Sequence, residues 1–402
     1  MWQLLTFATI LINVSYIQAA NRAPIITTSH GKIQGIKQNA VKAKAGSEIS
    51  KGYILIETEA FLGIPYAKPP LGNLRFAPPE NANSWSTVKI ADRYGYGCPM
   101  VPDEVFMKSG TNFQDADMWN TKLMGEDCLN LNIWRPANTR KNNKLPIAVW
   151  IYGGAFSSGA NSLDVYDGRV LAGTGRVIVI SINYRLGALG FIPPVAGTSS
   201  VGNVGLLDQR LALRWIYENA GNLGGDRSKI TIIGESAGSV SVGIQILNKH
   251  IKEPLVDRRS SNDIPPDVPY THTYFQNAIQ QSGTPNTGWA YIYKEEAYKR
   301  LALLAKATDC YVIGSISSSS FSIDQQSATF ENIINCLRGK SATEIVNAQF
   351  VTAGKTWLFP FVPVVGAPML RHAPNVLLKM FLNERAEETL PTNVRVCKKN
   401  SL

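Results

Sequence analysis

An α/β fold built on a mostly parallel sheet, buried on both faces, is what this sequence predicts. Three observations carry that reading. From residue 129 on there are three β-branched runs, LNIWRP, PIAVWIYGG and RVIVISINYR, two of them nearly continuous in apolar residues. Central strands covered from both sides have this character. A helical segment follows, GLLDQRLALRWIYENA, in which Leu207, Leu211, Leu213, Arg214 and Trp215 mix apolar and polar faces at helix spacing. ITIIGES then supplies another strand, so strand and helix alternate.

The elements before and after this centre fall in order. MWQLLTFATILINVSYIQAA carries no charge, and its apolar run from Leu4 to Val14 ends near the small residues Ala19 and Ala20. It reads as a secretory leader over residues 1–20, too short to span a bilayer, with a buried first strand as the alternative. PIITTSHGKIQGI and YILIETEAFLGIPYA are short strand-like pieces, and KPPLGNLRFAPPE is a Pro-rich loop. Residues 248–272 are polar, charged and Pro-rich, a surface loop, and YFQNAIQQSG is the next strand. The Ser-rich stretch 311–328 reads as a loop inside a helical region. FPFVPVVGAPMLRHAPNVLLKM looks ordered, whereas NERAEETLPTNVRVCKKNSL lacks periodicity and is expected to be disordered.

Composition narrows the class. The chain has 402 residues, 45% hydrophobic and 17% charged, enough for a large core in one catalytic-size unit. No repeat is evident, which argues against a solenoid or propeller. The net charge is +10, but Lys and Arg are scattered with no aromatic-interleaved basic motif, so no nucleic-acid partner is expected. Past the leader no stretch is long and apolar enough for a transmembrane helix. Five cysteines in an exported chain suggest two disulfides and one leftover thiol. The Asn-x-Ser/Thr sequon at Asn13 lies inside the leader, so no N-glycan is expected.

Two motifs carry chemistry. GESAG, residues 234–238, fits G-x-S-x-G, whose glycines allow the cramped strand-to-helix turn that exposes a serine hydroxyl. Ser236 is then the nucleophile, and the N–H of Ala237 faces a developing oxyanion. YGGAF, residues 152–156, closes the strand PIAVWI. A Gly-Gly turn there points consecutive N–H groups at one spot, and with Ala237 these make a three-donor oxyanion hole. Alone, either motif could be an ordinary turn; a strand before GESAG and a helix after it favour the catalytic reading.

With these motifs in place the chain resembles the cholinesterase branch of the type-B carboxylesterases. The segments that carry the resemblance are FLGIPYAKPPLGNLRF, EDCLNLNIW, WIYGGAFSSGANSLDVYDGR, GNVGLLDQRLALRWIYENAGNLGGD, ITIIGESAG, QSGTPNTGWA and FPFVPVV, within about residues 24–380. The resemblance implies an α/β-hydrolase fold and ester hydrolysis through an acyl-enzyme. It matches Ser236 to the nucleophile and Gly154, Ala155 and Ala237 to the oxyanion donors, with Ala155 in place of a usual glycine. Trp119 falls where an indole face takes a quaternary ammonium, with Glu235 adding negative charge and Tyr166 supporting the indole. Trp289, Trp357 and Phe359 fall at an acyl pocket suited to a small acyl group, and Asp103 at the gorge mouth, where Val101 replaces an aromatic. Cys98 with Cys128 and Cys310 with Cys336 match family disulfides, leaving Cys397. The expected partner is a small-molecule ester, cationic choline esters included, with no cofactor and no metal.

The same resemblance asks for a relay acid shortly after FVPVV and a histidine base about a hundred residues beyond. Neither is recognisable. Counting on from FVPVV reaches Val396; Glu384, Glu387 and Glu388 lack the motif; His30, His250, His272 and His372 lie outside the base context. The family pattern is expected to stop after Met380, leaving a divergent tail over residues 381–402 and a domain, residues 21–380, without its last elements. That would uncover a hydrophobic sheet edge, as in a splice form, a frameshift or an incomplete gene. Such a chain is expected to turn over little. Two alternatives stay open: a non-catalytic ligand-binding or adhesion protein, and a general carboxylesterase, which the basic balance favours mildly.

Overall fold

The structure is a computed structural model, which describes residues 21–43, 53–100, 123–248, 274–310, 327–353 and 359–387. Among them, nine strands form one sheet: β1 (Arg22–Thr27), β2 (Lys32–Ala43), β3 (Tyr53–Pro65), β4 (Lys89–Ile90), β5 (Asn130–Pro136), β6 (Leu145–Ile151), β7 (Ile178–Ile182), β8 (Gly225–Glu235) and β9 (Asn277–Gln281). Their order is β1-β2-β3-β5-β7-β6-β8-β9, with β4 beside β2. The sheet is mixed. From β1 to β7 neighbours run antiparallel, and from β7 to β9 they run parallel. The sheet was expected to be mostly parallel; apart from the short β2–β4 pairing, its parallel pairs lie in the half that carries YGGAF and GESAG.

Connection length explains the division. β1 and β2 are joined by a tight turn, and the long β2–β3 pairing, from Ile36↔Ala60 to Ala43↔Tyr53, is also antiparallel. Parallel neighbours need a crossover, usually a helix. Helix α1 (Arg169–Gly175) connects β6 to β7, α2 (Gly187–Phe191) and α3 (Val204–Asn219) connect β7 to β8, and α4 (Ala237–Leu247) follows β8. The remaining described helices are α5 (Lys294–Ala307), α6 (Ser327–Gly339), α7 (Ala342–Ala353) and α8 (Pro374–Glu387).

Side-chain alternation along the strands builds two cores, one on each face. Ile147, Val149 and Ile151 of β6 stand level with Ile178, Ile180 and Ile182 of β7, and with Phe61, Ile133, Ile230 and Ile232 they join the large core that includes Leu206, Leu213, Val240 and Ile244 of α3 and α4. The intervening residues Ala60, Trp134 and Val179 meet Ala172 of α1 on the opposite face. Helices therefore cover both sides, and the fold is the α/β-hydrolase class that the sequence implied.

Two ion pairs are buried in this frame. Arg135 Nε donates to Glu59 Oε2 at 2.7 Å, and Arg185 Nε and Nη2 bind both oxygens of Asp208 at 2.8 and 2.7 Å. The second pair joins the turn after β7 to α3. Disulfides link Cys98 to Cys128 and Cys310 to Cys336; Cys397 lies outside the described residues.

Two boundaries differ from expectation. Helix α6 begins at Ser327, inside the stretch read as a loop to residue 328. NERAE, read as the start of a disordered tail, is the last part of α8: Leu, Lys, Met, Glu, Arg and Ala are strong helix formers, and the helix already established by Asn375–Met380 propagates into them. Among the described residues no helix is long and apolar enough to cross a membrane, and β9 has no strand on its outer side, with Ile279 exposed there.

Candidate active site

Strands β6 and β8 are adjacent and parallel, with Ile151 level with Gly234. The two motifs that follow them, YGGAF and GESAG, therefore emerge together at one end of the sheet. Ligand sites of open α/β sheets lie at these carboxyl ends.

GESAG forms a strained turn. Ser236, between β8 and α4, has φ 54° and ψ −121°, a sparsely populated positive-φ conformation that costs an L-residue about 1–3 kcal/mol. The flanking glycines make the turn possible by leaving no volume for side chains. A Cβ on Gly234 would stand 2.3 Å from the Gly238 carbonyl oxygen, and one on Gly283 2.5 Å from the Ser236 carbonyl oxygen. Hydrogen bonds fix the turn from below: Ser236 N–H donates to the Gln281 carbonyl of β9 at 2.9 Å, and Val240 N–H to the Ser236 carbonyl at 3.0 Å. Ser239 Oγ donates to the Gly283 carbonyl at 2.6 Å. Gly283 and Ser239 were not foreseen as supports of the turn, because their contacts to it form only when β9 and α4 come together on folding.

The YGGAF loop lies directly over this serine. A Cβ on Gly153 would be 3.0 Å from the Cβ of Ser236 and 3.1 Å from Glu235 Oε2. Gly154 has φ 108°, and both Ala155 (φ 58°) and Phe156 (φ 59°) are left-handed. The Gly154 carbonyl accepts the N–H groups of Ser157 and Ser158 at 2.9 Å each. Among the described residues nothing accepts from the N–H groups of Gly154, Ala155 or Ala237. N–H groups without an acceptor among the described residues, on a loop whose Gly153 packs against Ser236, suit a developing oxyanion, and Ala237 adds the positive end of α4.

The side chains around the turn are charged and aromatic. Burial raises the pKa of Glu235. Tyr166 is pushed up to about 12, first by burial and then by the negative charge of Glu235, so the two side chains feel each other. The Tyr166 ring lies 5.3 Å from that of Trp150 and 6.4 Å from that of Tyr152, against which it stacks. Trp289 and Phe359 meet at 5.4 Å between ring centroids, and Arg300 Nη1 holds the Phe359 carbonyl at 2.8 Å. Trp119, Asp103 and Trp357 lie outside the described residues, as do Val101, His250, His272, Glu388 and Val396.

The structure brings neither described histidine to Ser236. His30 neighbours the end of α3: Ser29 N–H donates to Asn219 Oδ1 at 2.7 Å, and α3 ends just before β8 starts, whereas Ser236 follows the last residue of β8. Burial lowers the His30 pKa, with Glu218 opposing and Arg214 adding. Exposed His372 follows Met369, whose carbonyl accepts from Asn248 at the far end of α4. Among the described residues no side chain hydrogen-bonds the Ser236 hydroxyl, and no group of His, Cys, Asp and Glu is arranged to hold a metal.

Sequence similarity agrees with this combination of a nucleophile turn, an adjacent loop of N–H donors and an α/β sheet behind both. The sequence model of the carboxylesterase family matches residues 22–392, past Met380, where the pattern was expected to stop. The chain is 39% identical over 322 residues to the acetylcholinesterase of Bungarus fasciatus, covering 79% of this chain and 46% of that protein. Identity to the cholinesterase of Mus musculus is 37% over 372 residues, 92% of this chain and 53% of the relative. To the acetylcholinesterase of Electrophorus electricus it is 38% over 322 residues, with 79% and 44% covered. The chain spans about half the length of the curated relatives it matches. A site built on these two turns, together with a match over most of the sequence, places the chain in the carboxylesterase family.

Proposed function

We propose that this protein is a secreted serine esterase of the cholinesterase type, in which Ser236 is acylated by choline esters or other small-acyl carboxylic esters. The observation that carries the reading is the strained Ser236 turn packed against the YGGAF loop, with the N–H groups of Gly154, Ala155 and Ala237 lacking an acceptor among the described residues. Ser236 Oγ attacks the ester carbonyl, the carbonyl oxygen takes on negative charge, and the three donors stabilise it. Collapse breaks the ester C–O bond, the Ser236 hydroxyl proton passes through solvent to the departing alkoxide to give the alcohol, and water then hydrolyses the acyl-Ser236 to the acid. Trp289 and Phe359, with Trp357, restrict the acyl group. Trp119, Glu235, Tyr166 and Asp103 receive a cationic alcohol by cation–π and charge attraction. The leader at residues 1–20 and the two disulfides support secretion.

Little turnover is expected of the 402-residue chain, because no described base or acid reaches the Ser236 hydroxyl. Loss of relay partners elsewhere leaves only about 10³–10⁴-fold acceleration over water. The purified chain is incubated with an uncharged organophosphate and weighed by mass spectrometry. Wild type should gain one phosphoryl group and Ser236→Ala none; labelling that survives in Ser236→Ala rules this serine out. Brisk hydrolysis of acetylthiocholine by the same material would overturn the impairment. That missing contact to Ser236 also favours a second reading, a ligand-binding protein of the family. Saturable binding of a quaternary ammonium with no labelling of Ser236 would select it.

A further inference from the structure

Asn183 takes no part in the chemistry above, yet it is fully buried and all of its polar groups are engaged. Its N–H donates to the Asn130 carbonyl at 3.0 Å, and its carbonyl accepts the Tyr66 hydroxyl at 2.7 Å. Its Oδ1 accepts the Asn161 N–H at 2.8 Å, and its Nδ2 donates to the Tyr96 carbonyl at 3.0 Å. The last two bonds reach two different parts of the site. Asn161 closes the loop that begins at YGGAF. Tyr96 stands just before Cys98, where the segment closed by the Cys98–Cys128 disulfide begins.

The YGGAF loop needs holding. Ala155 and Phe156 are consecutive left-handed residues without being glycine, and such a conformation persists only where the surroundings over-determine it. One end of the loop is continuous with β6. The other end is Asn161, whose carbonyl accepts from Asn132 Nδ2 at 3.0 Å and from Ser181 Oγ at 3.2 Å, and whose Nδ2 donates to the Asn130 carbonyl at 3.1 Å. Midway, Gly187 N–H donates to the Phe156 carbonyl at 2.6 Å, so the turn after β7 grips the loop at two points. Among the described residues Asn161 Oδ1 is buried without a hydrogen-bond partner. The bonds of this side chain are carried by its Nδ2, which also donates to Asn130 Oδ1 at 3.2 Å.

We infer that Asn183 is a positioning residue: it fixes the oxyanion loop at Asn161 so that the Gly154 and Ala155 N–H groups stand over Ser236, and it ties that loop to the base of the disulfide-closed segment. The inference rests on the esterase reading of Ser236, and its test separates the two. Asn183→Leu, which keeps the number of side-chain heavy atoms and removes the polar groups, is compared with wild type in the 402-residue chain. Asn161→Ala, which keeps the N–H that Asn183 accepts, is the milder partner.

Two readouts are taken. Amide hydrogen exchange across residues 152–161 should quicken at least about tenfold in Asn183→Leu and less in Asn161→Ala, with β8 unchanged. The limiting rate of Ser236 labelling by diethyl p-nitrophenyl phosphate should fall at least about tenfold while its half-saturating concentration holds, since misplaced donors act on the transition state rather than on binding. A merely structural residue would alter the folded fraction without this split. If wild type is not labelled, the nucleophile reading fails and the exchange data alone decide the inference. Wild-type exchange in Asn183→Leu, or a wild-type limiting rate in a chain that labels, overturns it. Should Asn183→Leu not fold, Asn183→Ser carries the same comparison.

Discussion

A β-carbon at Gly238 would lie 2.1 Å from the carbonyl oxygen of Ile151, the last residue of β6. The oxygen belongs to a central strand, so the conflict cannot be relieved by turning a side chain. Gly238→Ala should therefore destabilise the fold by about 1–3 kcal/mol or more and shift α4 enough to suppress Ser236 labelling. Gly221, where an added Cβ meets nothing within 4 Å, supplies the control: Gly221→Ala should stay within about 0.5 kcal/mol of wild type. Denaturant melts of the two variants check the contrast, and equal midpoints would refute it.

Glu235 should make stability pH-dependent. Burial raises its pKa in the folded chain, so the native state holds this proton more tightly than the unfolded state does. The resulting stabilisation is complete below the unfolded carboxyl value of about 4.3 and is lost as pH rises through the higher folded value. Glu235→Gln should flatten that part of the profile and leave the protein more stable than wild type at neutral pH. It should also bring the Tyr166 phenol down from about 12, since Glu235 contributes to that shift. Denaturation midpoints between pH 4 and 8 test the first effect; a variant with the wild-type slope contradicts it.

Ala155 occupies a left-handed position with φ 58°. Its Cβ costs about 1–2 kcal/mol there, against the greater unfolded-state freedom of glycine, worth about 0.5–1 kcal/mol. Ala155→Gly should therefore be neutral or stabilising by up to about 1 kcal/mol, with the Ser236 labelling rate retained. Thermal unfolding of the variant reads this directly. A loss beyond about 1 kcal/mol would show that the methyl group makes contacts worth more than its strain.

The legible parts of the molecule were those with a local signature. Continuous apolar runs announced β6, β7 and β8, and Val204–Asn219 was recognisable by its spacing. GESAG and YGGAF were readable because a tight turn demands small residues in a row. The reach of β2 to Ala43 was not: Lys37, Gln38 and Asn39 break the alternation, and their partners Glu59, Thr58 and Glu57 lie far along the chain. The parallel and antiparallel halves could not be told apart from composition, since β5 is as buried as β7 yet pairs antiparallel with it. Asn130, Asn132, Asn161 and Asn183 left no trace either. They converge only after β5, β7 and the loop between β6 and α1 are assembled, and a lone asparagine in a sequence reads as a turn residue or a surface amide.

The interlocked glycines limit where new selectivity can be engineered. Gly153, Gly234, Gly238 and Gly283 each have a backbone atom within about 2.5 Å of where a first side-chain carbon would sit, so a randomised library at these codons would return mostly misfolded clones. Directed evolution toward other acyl groups should instead be aimed at Trp289 and Phe359, the proposed acyl-pocket residues, whose ring centroids lie 5.4 Å apart.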